Sequence, residues 1–237
     1  MTGESEVREL SPSFVFLDFG GTLARQTNTR EEAIVGSLTV LGHSFSAEQV
    51  APALAAARQA YADRSPHNLA YAKRQEYYIG MYEVAVRALG FSSDAREVAE
   101  HVWDTQRDSY ALYPQVVPAL QALRALGMRL GIISNWDKLN LAEICSDLGI
   151  ADLFDVILPS AAADADKPNP RIFERALEMA RADAGSCAHV GDSFEADVEG
   201  ARGAGMAGIL VLRDGAGVFD CPTVRGLDEL PELLPTL

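Results

Sequence analysis

The sequence predicts an α/β protein in which a parallel β-sheet core carries an all-helical domain inserted after the first strand. Three observations support this fold class. An apolar strand pattern at residues 14–17 ends at an aspartate, and two glycines follow shortly after. Residues 29–112 then show apolar spacing of the helical period, with no strand pattern. From Pro114 onward strand and helix patterns alternate, which is typical of a parallel sheet with helical crossovers.

These changes of pattern set the expected domain borders. Residues 1–13 are expected to form a flexible tail, because they begin with an acidic and polar run. Residues 14–26 and 113–237 are expected to form the core, and residues 27–112 the helical domain. Since the first residues lack the basic and apolar regions of a secretory signal, we expect no export signal.

Two helix starts in the inserted domain carry a recognisable capping pattern. Thr29 with Glu32, and Ser46 with Gln49, have the spacing of capping boxes, in which each side chain pairs with the backbone N–H of the other residue. Residues 94–112 are expected to form a further, less regular helix. The domain is therefore predicted to be helical throughout.

The second half of the chain contains four further strand patterns, at residues 129–133, 155–158, 187–190 and 208–212. Between them Asp137 is expected to cap one helix and Gly149 to end it, while Asn169 is expected to cap the next. Functional residues in parallel sheets gather at the carboxyl ends of the strands. The residues that follow these strands are therefore the candidate site.

Polar residues follow four of the predicted strands: Asp18, Ser134 with Asn135, Lys167 and Asp192. A carboxylate at position 18 can attack a phosphoryl group or bind a metal. The Ser134 hydroxyl and the neighbouring backbone N–H groups can bind phosphoryl oxygens, and Lys167 can neutralise the reacting groups. Because the chain has three lysines against seventeen arginines, a lysine in this series is not readily explained by chance.

Taken in order, these segments resemble the four motifs of the haloacid dehalogenase-like (HAD) hydrolase superfamily, most of whose members are phosphatases. The segments are residues 14–23, Ser134 with Asn135, Lys167 with Pro168, and residues 191–197. The resemblance covers the chain from about Phe14 to its end. It implies a Rossmann-like core with a helical cap inserted after the first motif.

The resemblance also implies a reaction and a cofactor. The reaction is hydrolysis of a small phosphorylated metabolite through an aspartyl phosphate on Asp18. The cofactor is Mg²⁺, held by Asp18, Asp192 and the backbone carbonyl of Gly20. Asp197 is expected to act on the metal through water or to orient other groups of the site. Haloacid dehalogenases need no metal, so the metal-binding character of residues 191–197 favours a phosphatase.

Gly20 departs from the family pattern, in which a second Asp protonates the leaving group and then activates water. A positioned acid–base group is worth about 10²–10⁴-fold in rate. Four interpretations stay open: a substrate with a good leaving group such as an acyl or aryl phosphate, a proton donor from the cap (His67 or Glu76), phosphonatase-like chemistry with Lys73 as a Schiff base, or phosphate binding with vestigial catalysis. A positive φ at Gly20 would limit its replacement by Asp.

The expected substrate-binding residues come from a turn-rich cap loop at residues 63–68 and from turns of the core: Arg64, His67, Asn68, Gly21, Thr22 and Trp136. The cap loop is expected to set specificity, because all four motifs belong to the core. Trp136 is expected either to wall the leaving-group side or simply to pack under the cap. His189 lies in the middle of a strand pattern and is expected to be a core residue with its hydrogen bonds satisfied.

Composition excludes several classes of partner. The net charge of −14 argues against nucleic acid and against anionic membrane surfaces. No apolar stretch reaches the length of a membrane span. Three scattered cysteines without a CxxC pair are expected to be thiols in a reducing compartment. We therefore expect a cytoplasmic protein with a small phosphorylated substrate, a monomer by default with a homodimer as the alternative.

Overall fold

The computed structural model describes residues 12–106, 108–213, 215 and 217–237. The chain divides into two compact units. The core unit ends at Ala24 and resumes at Leu112, and the helical unit spans Arg25–Ala111. These borders lie close to the expected ones at residues 26 and 113.

Most of the expected tail, residues 1–11, lies outside the described residues. Its last residue, Ser13, is part of the core. The Ser13 N–H donates to the Ser186 carbonyl at 2.9 Å, and the Ser13 carbonyl accepts from the Arg129 N–H at 3.0 Å. The prediction of a tail was wrong at Ser13, because backbone pairing with distant segments leaves no trace in local composition.

The strands of the described chain are β1 (Phe14–Leu17), β2 (Ala24–Gln26), β3 (Tyr110–Leu112), β4 (Arg129–Ser134), β5 (Val156–Pro159), β6 (Cys187–Gly191), β7 (Ala207–Val211) and β8 (Thr223–Val224). Six of them form a parallel sheet in the order β5-β4-β1-β6-β7-β8. In that sheet Leu17 is in register with Ile132 and with Val190. The residues that follow β1, β4 and β6 therefore meet at one edge, as the alternating pattern predicted.

The α-helices of the described chain are α1 (Arg30–Val40), α2 (Ala47–Ala60), α3 (Tyr71–Ala88), α4 (Ala95–Thr105), α5 (Val116–Ala125), α6 (Leu141–Asp147), α7 (Ser160–Ala163), α8 (Pro170–Ala180), α9 (Gly200–Gly203) and α10 (Leu230–Leu233). A π-helical segment, Phe194–Glu199, precedes α9. The Rossmann-like α/β fold class is confirmed. None of the helices in the described ranges combines the length and the apolar content that a membrane crossing requires.

The helical unit has the capping boxes that the sequence predicts. The Thr29 hydroxyl accepts the Glu32 N–H at 3.2 Å, and the Glu32 carboxylate accepts the Thr29 N–H at 2.7 Å. Ser46 and Gln49 make the corresponding pair. The helices pack around a core of their own, which includes Leu54 and other buried apolar residues.

The prediction that residues 94–112 form one helix was wrong. The helix α4 ends at Thr105, and β3 pairs with β2 in a two-stranded sheet. Each of these strands has only three residues, which is too short to show a strand period. Their pairing depends on a contact between distant parts of the chain.

Two local predictions in the core unit had different outcomes. Asp137 does not cap a helix, because α6 begins at Leu141, after Asn140. The end of α6 is as expected, with Gly149 at a φ of 71°. Asn169 caps α8 as expected, and its side-chain oxygen accepts the Arg171 N–H at 3.1 Å.

The first capping box gives a test of the helical unit. Thr29→Ala should lower the free energy of unfolding by about 1 kcal/mol, because it leaves the Glu32 N–H without its acceptor. Thr39→Ala is the matched control, since the exposed Thr39 hydroxyl only donates back to the Val35 carbonyl of the same helix. It should change stability by less than about 0.5 kcal/mol. Urea unfolding followed by circular dichroism measures both, and equal effects would contradict the capping role.

Candidate active site

The carboxyl edge of the sheet brings the motif residues of the core unit together. Asp18 follows β1, Ser134 ends β4, and Asp192 follows β6, while Lys167 lies in the loop between α7 and α8. Asp18, Ser134 and Lys167 are buried, whereas Asp192 is exposed. The site therefore has a buried floor and an open side.

Lys167 lies at the centre of this arrangement. Its Nζ donates to Asp18 Oδ1 at 2.7 Å, to Asp197 Oδ1 at 2.6 Å and to the Ile133 carbonyl at 2.8 Å. An ammonium group has three hydrogens, so all of them are used. The lysine is consequently held at one point between two carboxylates.

The loop that carries Lys167 is held by Asn135. The Asn135 side-chain oxygen accepts the Lys167 N–H at 2.7 Å, and its amide N–H donates to the Lys167 carbonyl at 3.0 Å. Two hydrogen bonds to one residue fix the direction in which the Lys167 side chain leaves the backbone. The Asn135 side chain thus positions the lysine, a role that the sequence did not indicate.

Asp197 accepts hydrogen bonds on both carboxylate oxygens. Oδ1 lies 2.6 Å from Lys167 Nζ and 2.9 Å from His189 Nε2, and Oδ2 accepts the Ser193 N–H at 2.9 Å. Asp197 lies in the π-helical segment, which begins after Ser193. These contacts favour the orienting role among the two expected for Asp197.

The charged groups of the site change one another's pKa values. Burial alone would lower the pKa of Lys167, but the attraction of Asp18 and Asp197 outweighs it, and the pKa is raised. Burial alone would raise the pKa of Asp197, but the charge of Lys167 and the hydrogen bond from His189 hold it below its ordinary value. Burial raises the pKa of Asp18 against the opposing effect of Lys167. These shifts favour the ionised forms of both Lys167 and Asp197, so the two side chains form an ion pair.

Three carboxylates of the core unit could hold a metal. Oxygens of Asp18, Asp192 and Asp197 lie within 4.8 Å of one another. An all-oxygen set of carboxylates suits Mg²⁺. Asp18 and Asp192 fit as direct ligands, whereas the oxygens of Asp197 already accept hydrogen bonds from protein groups. Burial, together with the charge of Asp197, raises the pKa of Asp192, and a bound cation would favour its ionised form.

The two glycines of the first motif have opposite environments. Gly21 has a φ of 76°, and a Cβ at that position would overlap an Asp192 carboxylate oxygen. Gly20 is exposed and lies outside the left-handed region, and a Cβ there would have no atom of the described residues within 4 Å. Gly21 is therefore required by the close approach of Asp192. The expected strain at Gly20 is absent, so the fold leaves room for a side chain there.

Arg213 holds the turn of the first motif and was not identified from the sequence. It donates through Nε to the Gly21 carbonyl at 3.2 Å and through Nη2 to the Thr22 carbonyl at 2.6 Å. Its guanidinium lies 3.6 Å from the centre of the Tyr113 ring. No local pattern indicates this residue, because all three of its partners are distant from it in sequence.

The remaining substrate-binding candidates of the core differ in access. Thr22 is fully buried, backbone included, so it supports the turn of the first motif from within the core unit rather than at its surface. Trp136 is half-buried, with its ring edge-on to Phe19 and its indole N–H donating to Asn140 at 3.0 Å. Trp136 is thus packed into the core unit while part of its surface stays accessible.

The candidates of the helical unit lie on one exposed loop. Arg64 stacks on Tyr61 at 4.6 Å from the ring centre, the His67 N–H donates to the Ser65 hydroxyl, and Asn68 has a φ of 57°. All three candidate side chains are exposed. Their contact with a substrate remains a prediction.

Glu76, one of the suggested proton donors, is paired with an arginine. Its carboxylate accepts two hydrogen bonds from Arg96, at 2.6 Å and 2.9 Å. These hydrogen bonds hold the pKa of Glu76 below its ordinary value, which weighs against a role as proton donor. Lys73, the other candidate on α3, is exposed.

Comparisons with known proteins indicate the family of this chain. Residues 13–205 match a family model described as haloacid dehalogenase-like hydrolase. The chain is 41% identical over 118 residues to haloacid dehalogenase-like hydrolase domain-containing protein 3 of Homo sapiens, covering 50% of this chain and 45% of that relative. It therefore spans about half the length of that relative.

Two further relatives cover more of the chain. A phosphoglycolate phosphatase of Neisseria gonorrhoeae is 31% identical over 172 residues, which is 67% of this chain and 72% of that protein. The crystal structure of a 2-haloacid dehalogenase from Pseudomonas syringae matches with a TM-score of 0.69 over 95% of this chain and 99% of that one. Its identity is 24%, so this likeness establishes the fold alone.

The contrast between the two glycines can be tested. Gly21→Ala should weaken Mg²⁺ binding by at least about tenfold, because the added methyl group displaces the Asp192 carboxylate. Gly20→Ala is the matched control and should leave Mg²⁺ affinity unchanged, since its methyl group meets open space. Calorimetric titration with Mg²⁺ measures both variants. Native affinity in Gly21→Ala would contradict the role given to Asp192.

Proposed function

The chain belongs to the haloacid dehalogenase-like hydrolases, and from this we propose that it is a Mg²⁺-dependent phosphatase of small phosphorylated metabolites. The observation that carries the proposal is the position of Lys167 between Asp18 and Asp197. A nucleophilic carboxylate beside a fixed ammonium group suits phosphoryl transfer, because the negative carboxylate has to approach a negative phosphate and the ammonium group lowers their repulsion. The phosphoglycolate phosphatase among the relatives supports the substrate class.

In the proposed reaction Asp18 is the nucleophile. One of its carboxylate oxygens attacks phosphorus, and the bond between phosphorus and the leaving oxygen breaks with its electron pair going to that oxygen. Water then attacks the phosphorus of the aspartyl phosphate, which releases inorganic phosphate and restores the Asp18 carboxylate. Lys167 lowers the repulsion between Asp18 and the incoming phosphate throughout.

Other residues of the core unit orient the phosphoryl group. The Ser134 hydroxyl and the backbone N–H of Asn135 are proposed to bind its oxygens. Gly21 is proposed to contribute to the same cradle, and Arg213 holds this turn in place through the carbonyls of Gly21 and Thr22. Mg²⁺, when bound by Asp18, Asp192 and the Gly20 carbonyl, supplies positive charge beside the transferring group. Asp197 acts by orienting Lys167.

The open surroundings of Gly20 narrow the substrate class. With no side chain there to donate a proton, position 20 favours substrates whose leaving oxygen departs as a stable anion, as acyl and aryl phosphates permit. The same observation favours a second candidate function, binding of phosphate compounds with vestigial catalysis. Phosphonatase-like chemistry has less support, because a Schiff-base lysine works in a desolvated pocket and Lys73 is exposed.

We expect Asp18→Asn to lower turnover by more than about 10³-fold while the protein keeps its melting behaviour, because the amide has the shape of the carboxylate without its nucleophilic charge. Asp192→Asn should instead raise the Mg²⁺ concentration needed for activity. Asp152→Asn, an exposed site in the same unit, serves as the control. Kinetics on a panel of phosphate esters and acyl phosphates measure all three. Full activity in Asp18→Asn would rule out the covalent mechanism.

The absence of an acid at position 20 predicts how rate depends on the leaving group. The native log kcat/KM should fall steeply as leaving-group pKa rises. Gly20→Asp should raise turnover of alkyl phosphates by about 10²-fold with little change for acyl phosphates, since it restores a proton donor. Gly20→Asn is the matched control, with the same size and no proton to donate. A flat native plot with good alkyl turnover would mean that another residue, with His67 the first to test, already donates the proton.

The cap loop is proposed to set specificity. Replacing Arg64 or His67 by Ala should raise KM on the best substrate by about tenfold through loss of a polar contact. Stability should change by less than about 0.5 kcal/mol, because both side chains are exposed. Arg58→Ala, an exposed arginine on α2, is the control. Unchanged kinetics in both variants would move the specificity site to Asn68, Arg25 or Trp136.

A further inference from the structure

His189 is a fully buried titratable residue that the proposed reaction does not use. It lies in β6, where its backbone pairs with Phe16 of β1 and Gly208 of β7. Its Nε2 lies 2.9 Å from Asp197 Oδ1, and its ring is edge-on to Phe173 at 5.4 Å. Its Nδ1 is buried and has no hydrogen-bond partner within the part of the chain that the structure describes. The expectation that His189 is a satisfied core residue was wrong at this atom.

The geometry assigns the hydrogen of the imidazole. An ionised carboxylate only accepts hydrogen bonds, so Nε2 carries the hydrogen that Asp197 Oδ1 receives. Burial lowers the pKa of His189, which keeps the ring neutral and leaves Nδ1 as an acceptor without a donor. A buried acceptor of this kind is unfavourable for stability. An aromatic hydrocarbon side chain of similar size would avoid that cost, so the contribution of His189 lies in its hydrogen bond to Asp197.

We propose that His189 is a positioning residue that keeps Lys167 shared between Asp197 and Asp18. Asp197 Oδ1 accepts from His189 and from Lys167 at the same time, so the two donors divide the negative charge of one oxygen. Without the imidazole donor, that oxygen attracts Lys167 more strongly. The ammonium group then pairs more strongly with Asp197 at its present position and neutralises Asp18 and the transferring phosphoryl group less. The inference rests on the proposed function, in which Lys167 neutralises the transferring phosphoryl group.

Two variants separate the hydrogen bond from the volume of the side chain. His189→Phe keeps a ring beside Phe173 and removes the donor. His189→Gln keeps an N–H donor at a similar distance from the backbone and removes the ring. If the residue served packing alone, activity would follow stability, and the Phe variant would be the better of the two.

The expected result is a crossed order. In calorimetric titration with inorganic phosphate and Mg²⁺, His189→Phe should bind about tenfold more weakly, while His189→Gln stays within about threefold of the native protein. Turnover should follow the same order, as a change in kcat. Thermal melting should show the opposite order, with His189→Phe more stable than His189→Gln, because Phe keeps a ring packed against Phe173.

Two results would overturn the proposal: native phosphate affinity in His189→Phe, or equal loss of affinity in both variants, since the donor would then not matter.

Nitrogen-15 NMR of the native protein gives a check that needs no variant. A neutral ring with its hydrogen on Nε2 is expected, and a hydrogen on Nδ1 would contradict the assignment. Failure of the proposed function would be seen separately, as full turnover in Asp18→Asn. The role of His189 would still be decided by the phosphate affinities of its variants and by the imidazole tautomer.

Discussion

The buried ammonium group of Lys167 is the interaction on which the site depends. Two carboxylates from different parts of the sheet edge, Asp18 and Asp197, would repel each other in a buried environment without a cation between them. Asn135 fixes the backbone of the lysine, and Asp197 is fixed in turn by Ser193 and His189. The chemistry proposed for Asp18 thus relies on a chain of hydrogen bonds that starts in the middle of β6.

The sequence predicted the fold and the positions of the main site residues because both depend on local signals. Strand patterns followed by Asp18, Ser134 and Asp192 predict their meeting at one sheet edge once the strands are parallel. The capping boxes at Thr29 and Ser46 are visible for the same reason, since each is complete within four residues.

The contacts that sequence reasoning missed are those between distant segments. Arg213 binds carbonyls of the first motif, and β2 pairs with β3 although the four helices of the helical unit separate them in the sequence. The ion pair of Glu76 with Arg96 also joins two helices, so the sequence could not show that this carboxylate is already paired with an arginine. Asp137 failed as a cap for a related reason, because its segment continues as an irregular turn to Asn140 before α6 begins.

The two adjacent glycines show how one motif can combine structural and chemical constraints. Gly21 is required by the space that Asp192 occupies, whereas nothing in the packing requires Gly20. Within the proposed function, the difference at Gly20 therefore concerns the reaction rather than the fold.

The central claim is that Lys167 and Asp197 act as one unit beneath the nucleophile. A double-mutant cycle with Lys167→Met and Asp197→Asn, read by the free energy of unfolding, tests it most directly. The account predicts strong non-additivity, with a coupling free energy of about 2–3 kcal/mol, because Lys167→Met leaves two buried carboxylates without a cation, and Asp197→Asn then removes one of the two charges. Effects that add to within about 0.5 kcal/mol would contradict it.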